Sequence, residues 1–330
     1  MRHIASIILL ILLILANGCS SRHQTSEEAI LMGEAKARLS ISGAFALYPL
    51  TVLWAEEFQK THPNIRIDIS AGGAGKGMAD VLSEMVDIGM FSRELSPEEL
   101  KQGATFFAVA KDAVIPTINS RHPQLNTLKS RGISMEEFRR IFVTGEIASW
   151  SELGLGGEPA PINVYTRSDA CGAAAMWGAW LGVSQEDLLG TGVFGDPGIA
   201  DAVKADPLGL GYNNVIYVYD IQTRKKYEGM EVLPIDLNGN GKVEYGEAFY
   251  EHLDTLMVAI KQGDYPSPPA RNLYLIIKGR PENPATRLFL AWVLDKGQNF
   301  VKQAGYVALD KDQVSREMEK LTYTAQRGQQ

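Results

Sequence analysis

The chain has 330 residues, 45% of them apolar and 22% charged, with 32 Gly and 15 Pro. This is a globular composition long enough for two cores, and it excludes a disordered or collagen-like chain. Against 39 Asp and Glu stand 32 Lys and Arg, a formal net charge of −7, and no Lys/Arg run offers the local patch that a nucleic-acid partner needs. Two cysteines, Cys19 and Cys171, exclude a disulfide framework and a thiolate zinc cluster, and the five histidines show no metal-ligand spacing.

Arg2 is followed by an apolar run over residues 4–16 and then by Asn17-Gly18-Cys19-Ser20-Ser21. A basic start, a short hydrophobic stretch and small residues read as an export signal over 1–18. The run is shorter than the roughly 20 apolar residues of a spanning helix. Leu15-Ala16-Asn17-Gly18-Cys19 resembles the lipobox of bacterial lipoproteins, with Ala16 where a bulky aliphatic residue is usual. Either Cys19 carries lipid or an ordinary secretory signal is cut nearby; both place the mature chain outside the cytoplasm. Residues 19–37 read as a polar tether.

Three times an apolar strand-like run meets a loop of Gly and small residues and then an amphipathic helix pattern. Leu39-Ser40-Ile41-Ser42 leads through Gly43-Ala44-Phe45-Ala46 to Pro49, a residue suited to a first helical turn, with Leu50, Leu53, Trp54 and Phe58 following at helical spacing. The alternating strand Ile65-Arg66-Ile67-Asp68-Ile69 reaches Gly72-Gly73-Ala74-Gly75-Lys76-Gly77, and Met78, Val81, Leu82 and Met85 follow. Ile162-Asn163-Val164-Tyr165-Thr166 runs into Arg167-Ser168-Asp169-Ala170-Cys171-Gly172-Ala173 and a helix through Met176, Trp177, Trp180 and Leu181. Helix N-termini leave backbone N–H groups unpaired and carry partial positive charge, so several converging on one point make an anion site without lysines. A P-loop fails here, because Ser70 and Gly77 stand where Gly and Ser/Thr are needed. A phosphatase loop fails as well, because Trp177 stands where an Arg must follow Cys171.

These residues resemble the periplasmic phosphate-binding proteins of bacterial ABC transporters. Residues 42–50 are similar to the family's first anion loop and 73–77 to its second; Val86-Asp87-Ile88-Gly89-Met90-Phe91-Ser92-Arg93-Glu94-Leu95 and the segment 138–150 resemble further blocks, in the family's order. Shorter pieces near the end, Gly211-Tyr212-Asn213-Asn214, residues 297–301 and Gly305-Tyr306, add to the likeness. The third loop keeps Arg167 and Asp169 of the family's R-x-D-G-S-G-T but loses both hydroxyls, and the hydroxyls common in the first two loops are absent at Ala44, Phe45, Ala46 and Ala74. Ser92 stands where some members use Asp.

The resemblance implies an α/β, two-lobed periplasmic-binding-protein type II (Venus flytrap) fold with a two-stranded hinge. One lobe is expected over 38–114 and 275–325 and the other over 115–274, with crossings near 113–116 and 273–276. Independently, strand and helix patterns alternate throughout, as in α/β layers with mostly parallel sheets. The phosphate-binding set implied is Ala44, Phe45, Ala46, Ala74, Gly75, Ser92, Arg93, Arg167, Asp169, Cys171, Gly172 and Ala173. Arg167 would offer planar paired donors to two ligand oxygens. Asp169, an acceptor only, would favour an anion that still carries a proton. Alternatively, Arg167 and Asp169 form a structural salt bridge beside the loop, and Arg93 either reaches the ligand or is solvated or in an interdomain salt bridge. Cys171 has no His within thirty residues to activate it.

Asp236-Leu237-Asn238-Gly239-Asn240-Gly241-Lys242-Val243-Glu244-Tyr245-Gly246-Glu247 fits the twelve-residue calcium loop, with oxygens at positions 1, 3 and 5, Gly at 6, a carbonyl at 7 and a carboxylate at 12. Asp236, Asn238, Asn240, Lys242 through its carbonyl, Glu244 directly or through water, and Glu247 would hold one structural Ca2+; the alternative is a polar turn. Glu231-Val232-Leu233-Pro234-Ile235 before it reads as a strand.

The function implied is capture of inorganic phosphate between the lobes and delivery to an ABC permease by a monomer, attached to the membrane only through lipid and without nucleic acid. Sulfate, molybdate or tungstate as ligand, or a surface sensor or adhesion lipoprotein, are the alternatives. A hydrolase lacks any His-Cys, Ser-His or paired-metal arrangement.

Overall fold

The computed structural model describes residues 29–30, 33, 35–156, 158–281 and 283–326. The expected export signal and Cys19 lie outside them. The tether is shorter than expected at its far end, because Ile30 is buried against the first core and Asn64 Nδ2 donates to the carbonyls of Ile30 (2.9 Å) and Ala35 (2.8 Å).

Strand β1 (Ala37–Gly43) turns Leu39 and Ile41 inward and ends at the first Gly loop. Helix α1 (Tyr48–Gln59) starts on Pro49, whose missing N–H costs nothing there. It buries Leu50, Trp54 and Phe58, one residue per turn on a single face. Strand β2 (Ile65–Ala71) pairs in parallel with β1 along its full length, and α2 (Ala74–Leu82) follows after Gly73. Strand β3 (Ile88–Phe91) lies parallel on the other side of β1. The short helix α3 (Pro97–Lys101) leads to β4 (Ala104–Asn119), which is sixteen residues long.

Beyond β4 come α4 (Leu125–Arg131), β5 (Ile133–Ser134) and α5 (Met135–Arg139). The third strand-loop-helix unit is β6 (Asn163–Arg167) with α6 (Gly172–Trp180), followed by β7 (Thr191–Val193), α7 (Gly195–Ala205) and β8 (Gly209–Asn214). The run 231–235, read as one strand, is two short ones, β9 (Met230–Val232) and β10 (Ile235–Asp236), because Pro234 has no N–H for a ladder. Helix α8 (Leu253–Gln262) precedes β11 (Ala270–Lys278), and α9 (Pro284–Leu294), α10 (Gln298–Val301) and α11 (Lys311–Gln326) complete the chain.

One sheet runs through the molecule in the order β2-β1-β3-β11-β4-β8-β6-β7, with β9 also on β4. Its flanks are parallel, as α/β alternation predicts, but β4 and β11 are antiparallel to each other and to the strands they join. Two hydrophobic cores hang on this sheet. The first holds Trp54, Phe58, Phe107, Ala110 and Leu273; the second holds Ala113, Ile118, Trp177, Tyr212 and Ala270. The chain therefore passes between cores at 110–113 on β4 and 270–273 on β11, where Asp112 and Arg271 face each other in register. Among the described residues no helix is long and apolar enough to cross a membrane.

Candidate functional site

The three small-residue loops meet between the cores. From the second-lobe side, Ala170 accepts from the Gly75 amide through its carbonyl (3.2 Å). The Tyr217 hydroxyl, on the chain after β8, donates to the Phe45 carbonyl (3.0 Å). Gly172 opens α6 against Ser92, whose carbonyl oxygen and Oγ lie 2.1 and 2.3 Å from where a Cβ would stand. Across the same gap the Phe45 ring meets Phe194 edge-on at 5.9 Å and covers the Arg167 guanidinium at 5.6 Å.

Within this meeting point the amides of Phe45, Ala46, Ala74, Gly172 and Ala173 find no acceptor among the described residues. They are donors from three loops, two belonging to one lobe and one to the other. Gly73 caps α2 at φ 90°, a conformation that favours glycine, and so the chain turns into the helix with the Ala74 amide unpaired at the cleft. Other expected donors are occupied: Ala44 N–H donates to Met90 O (2.9 Å) and extends the sheet, Gly75 N–H goes to Ala170 O, and Cys171 N–H goes to the Gln185 side chain (3.2 Å).

Arg167, at the end of β6, has a side chain 1% exposed. Its Nε and Nη2 donate to Asp169 Oδ1 (2.8 Å) and Oδ2 (2.6 Å), and its Nη1 to Asp196 Oδ2 (2.6 Å). The salt-bridge alternative for Arg167 and Asp169 is therefore what the fold contains, with Asp196 as a second carboxylate. Three of the five guanidinium N–H bonds are used, which leaves one on each terminal nitrogen for a ligand. Burial opposes the charge on Arg167, yet Asp196 and Asp169 outweigh it and hold the guanidinium more firmly protonated than usual. Asp169 does not point at a ligand unencumbered: Oδ1 also accepts from the Gly195 amide (3.1 Å).

Arg93 is not part of this cluster. Its guanidinium turns to the capping box of α3, donating to both oxygens of Glu99 (3.0 and 2.8 Å) and to Glu94 O, and it lies over the Phe91 ring. A carboxylate six residues on, in the same lobe, gives Arg93 a bidentate partner, so it pairs locally rather than across the cleft. Cys171 caps α6, its Sγ accepting from the Ala174 amide (3.4 Å). Burial pushes its thiol up to about 11 against the pull of Arg167, so it is protonated at neutral pH.

Asp196, Asn214 and Phe194 belong to the site and were missed. Gly195-Asp196-Pro197-Gly198 at the start of a helix was the available signal for the first. Asn214 N and Nδ2 both donate to Asp196 Oδ1 (3.2 and 2.7 Å).

The twelve-residue loop folds as a tight oxygen-lined turn. Asp236 is buried and accepts from the amides of Gly239 (2.8 Å), Asn240 (3.2 Å) and Gly241 (2.7 Å). Asn238 and Asn240 accept from the amides two residues on, and Glu247 is buried with its oxygens on the Leu237 and Glu244 amides. Glu244 holds the Asn238 side chain (3.3 Å). Among the described residues no three His, Cys, Asp or Glu side chains gather as a metal group; the ligand set of this loop draws on two Asn and the Lys242 carbonyl as well.

Two α/β lobes on a shared pair of crossing strands, with unpaired amides facing one another across the gap, define a two-lobed ligand-binding protein. Residues 32–296 match the PBP superfamily domain, and the chain belongs to that superfamily. It is similar to the phosphate-binding protein PstS of Pseudomonas aeruginosa PAO1, 27% identical over 299 residues, 82% of this chain and 83% of the relative. The PstS of Bacillus subtilis 168 is 29% identical over 206 residues, 62% of this chain and 66% of the relative. Among solved structures, a substrate-binding protein of Clostridium perfringens determined with bound phosphate superposes with TM-score 0.68 at 22% identity, covering 83% of this chain and all of that one.

Proposed function

We propose that the protein works outside the cytoplasm, captures inorganic phosphate between its lobes and hands it to an ABC permease, and that residues 236–247 carry a structural calcium ion. The observation that carries the first part is the set of unpaired amides at Phe45, Ala46, Ala74, Gly172 and Ala173 around a buried arginine that retains donors. Such a set recognises a small dehydrated oxyanion through its oxygens. Relatives named as phosphate-binding proteins support phosphate as that anion. A binding role rather than an enzymatic one is supported by a thiol that stays protonated and by the superfamily to which the chain belongs. Attachment through lipid on Cys19 rests on the sequence, and its test is loss of membrane association in Cys19→Ser.

Titration calorimetry against phosphate, sulfate and molybdate tests the ligand. Phosphate is expected to bind well below millimolar concentration and the others at least tenfold more weakly. No phosphate binding at millimolar concentration sinks the reading, and preference for sulfate or molybdate replaces the ligand.

For the calcium loop, two buried carboxylates, Asp236 and Glu247, have no Lys or Arg ion-pair partner among the described residues. Backbone amides satisfy their hydrogen bonds but supply no full positive charge, which a divalent ion would. Calcium at 100 times its Kd stabilises a fold by about 2.7 kcal/mol, worth roughly 4 °C in a unit of about 300 residues. A chelator is expected to lower Tm by about that amount, and added calcium to restore it. An unchanged melting curve rules the ion out.

A further inference from the structure

We infer that Arg271 is a positioning residue: through Asn214 and Asp196 it holds Arg167 in the orientation that receives the anion. The inference rests on the phosphate reading and adds a residue that stands on a crossing strand, outside every loop of the cleft.

The path is a single run of buried hydrogen bonds. Arg271 Nε and Nη2 donate to Asp112 Oδ1 (2.8 Å) and Oδ2 (3.2 Å), joining β11 to β4 where the chain passes between the cores. Nη2 also donates to Asn214 Oδ1 at the end of β8. Asn214 Nδ2 donates to Asp196 Oδ1, and Asp196 Oδ2 accepts from Arg167 Nη1. Every member is at most 7% exposed, so water cannot substitute for a lost partner.

Donor and acceptor logic makes Arg271 the controlling end. A side-chain amide can present either its oxygen or its NH2 to a neighbour. Arg271 has only donors, so it draws the Asn214 oxygen to itself and thereby turns the NH2 toward Asp196. Asp196, an acceptor only, favours the same orientation from the other side; without Arg271 the Asn214 oxygen loses its donor and one end of the amide is no longer held. A turned amide would set its oxygen against the Asp196 carboxylate and push it off Arg167. Among the described residues Arg271 Nη1 is buried with no partner, so the contacts of this guanidinium there are those to Asp112 and Asn214.

The test measures phosphate Kd by calorimetry and Tm for the full chain. Arg271→Met and Asn214→Leu are each expected to raise Kd tenfold or more, and the double variant to be no worse than the poorer single, because both break one path. Arg271→Lys, which keeps a donor-only group, is expected to stay within about threefold of wild type. Lys226→Met removes a largely buried pair with Glu231 and one with Glu251 in the same lobe, off this path, and is expected to lower Tm while leaving Kd alone. Should Arg271→Met fail to fold, Asn214→Asp, which sets an acceptor against Asp196 permanently, takes its place with the same tenfold expectation. Folded variants with wild-type Kd, or losses that add in the double variant, overturn the positioning role. A wild-type chain that binds no phosphate overturns the phosphate reading, and the role falls with it; binding by wild type and by Arg271→Met alike overturns the role alone.

Discussion

Arg167→Lys is expected to weaken phosphate binding by about 30- to 4,000-fold, the range that 2–5 kcal/mol covers when one partner of a buried, hydrogen-bonded charge pair is cut back. The guanidinium is needed for its shape. It spends one side on Asp169 and one nitrogen on Asp196 and still has an N–H on each terminal nitrogen. A lysine carries three donors on one atom and cannot serve two carboxylates and an anion lying in different directions. Lysine keeps the positive charge between Asp169 and Asp196, so the lobe is expected to fold. Arg167→Ala would leave two buried carboxylates uncompensated, at about 3–5 kcal/mol of stability, and mixes the two effects. Calorimetry with phosphate decides: a Kd within threefold of wild type in Arg167→Lys removes Arg167 from the site.

Gly172→Ala is expected to abolish tight binding without unfolding the chain. Alanine suits the start of a helix, and the backbone of Gly172 lies outside the left-handed region, so α6 itself is not strained. The obstacle is in the other lobe: the added methyl carbon would stand 2.1 Å from the carbonyl oxygen of Ser92 and 2.6 Å from its carbonyl carbon. Ser92 directly follows β3 and is itself buried, so its backbone cannot give way by an ångström, and the lobes must part instead. If overpacking costs the closed form about 3 kcal/mol, the binding-competent fraction falls roughly 100-fold and apparent Kd rises by the same factor. Small-angle scattering with and without phosphate supplies the second readout. Wild type is expected to compact on binding and Gly172→Ala to stay extended, with ligand-free Tm unchanged. Wild-type affinity in this variant would mean that the Ser92–Gly172 approach is not the ligand-bound geometry.

Much of the cleft was readable because its signals are local. Gly and small residues between a strand pattern and a helix pattern locate an exposed helix start whatever the rest of the fold does, and all three such loops converge. The oxygen-lined turn at 236–247 was readable for the same reason, since its polar side chains recur at fixed spacing. What was not readable depended on partners far away in the chain. Nothing near Arg167 announces Asp196, 29 residues on, and nothing near Asn214 announces Arg271, 57 residues on. Arg93 had two outlets, and the nearby Glu99 won because a bidentate carboxylate within one short helix costs little chain entropy to reach. The strand 231–235 was overcalled because its apolar pattern hid the one residue that cannot extend a ladder, Pro234.

The order of the sheet bears on how the molecule comes to exist. Strand β11, made near the end of synthesis, lies between β3 and β4, which are made early. Until residue 278 is available the first lobe is a sheet with its centre missing, and its apolar edges have nothing to pair with. The first lobe can therefore not be completed ahead of the second, and its assembly is governed by contacts between distant parts of the sequence, the slow kind. A first lobe that stays unassembled until its last strand arrives is also one that can pass through a narrow opening before it has a shape to lose.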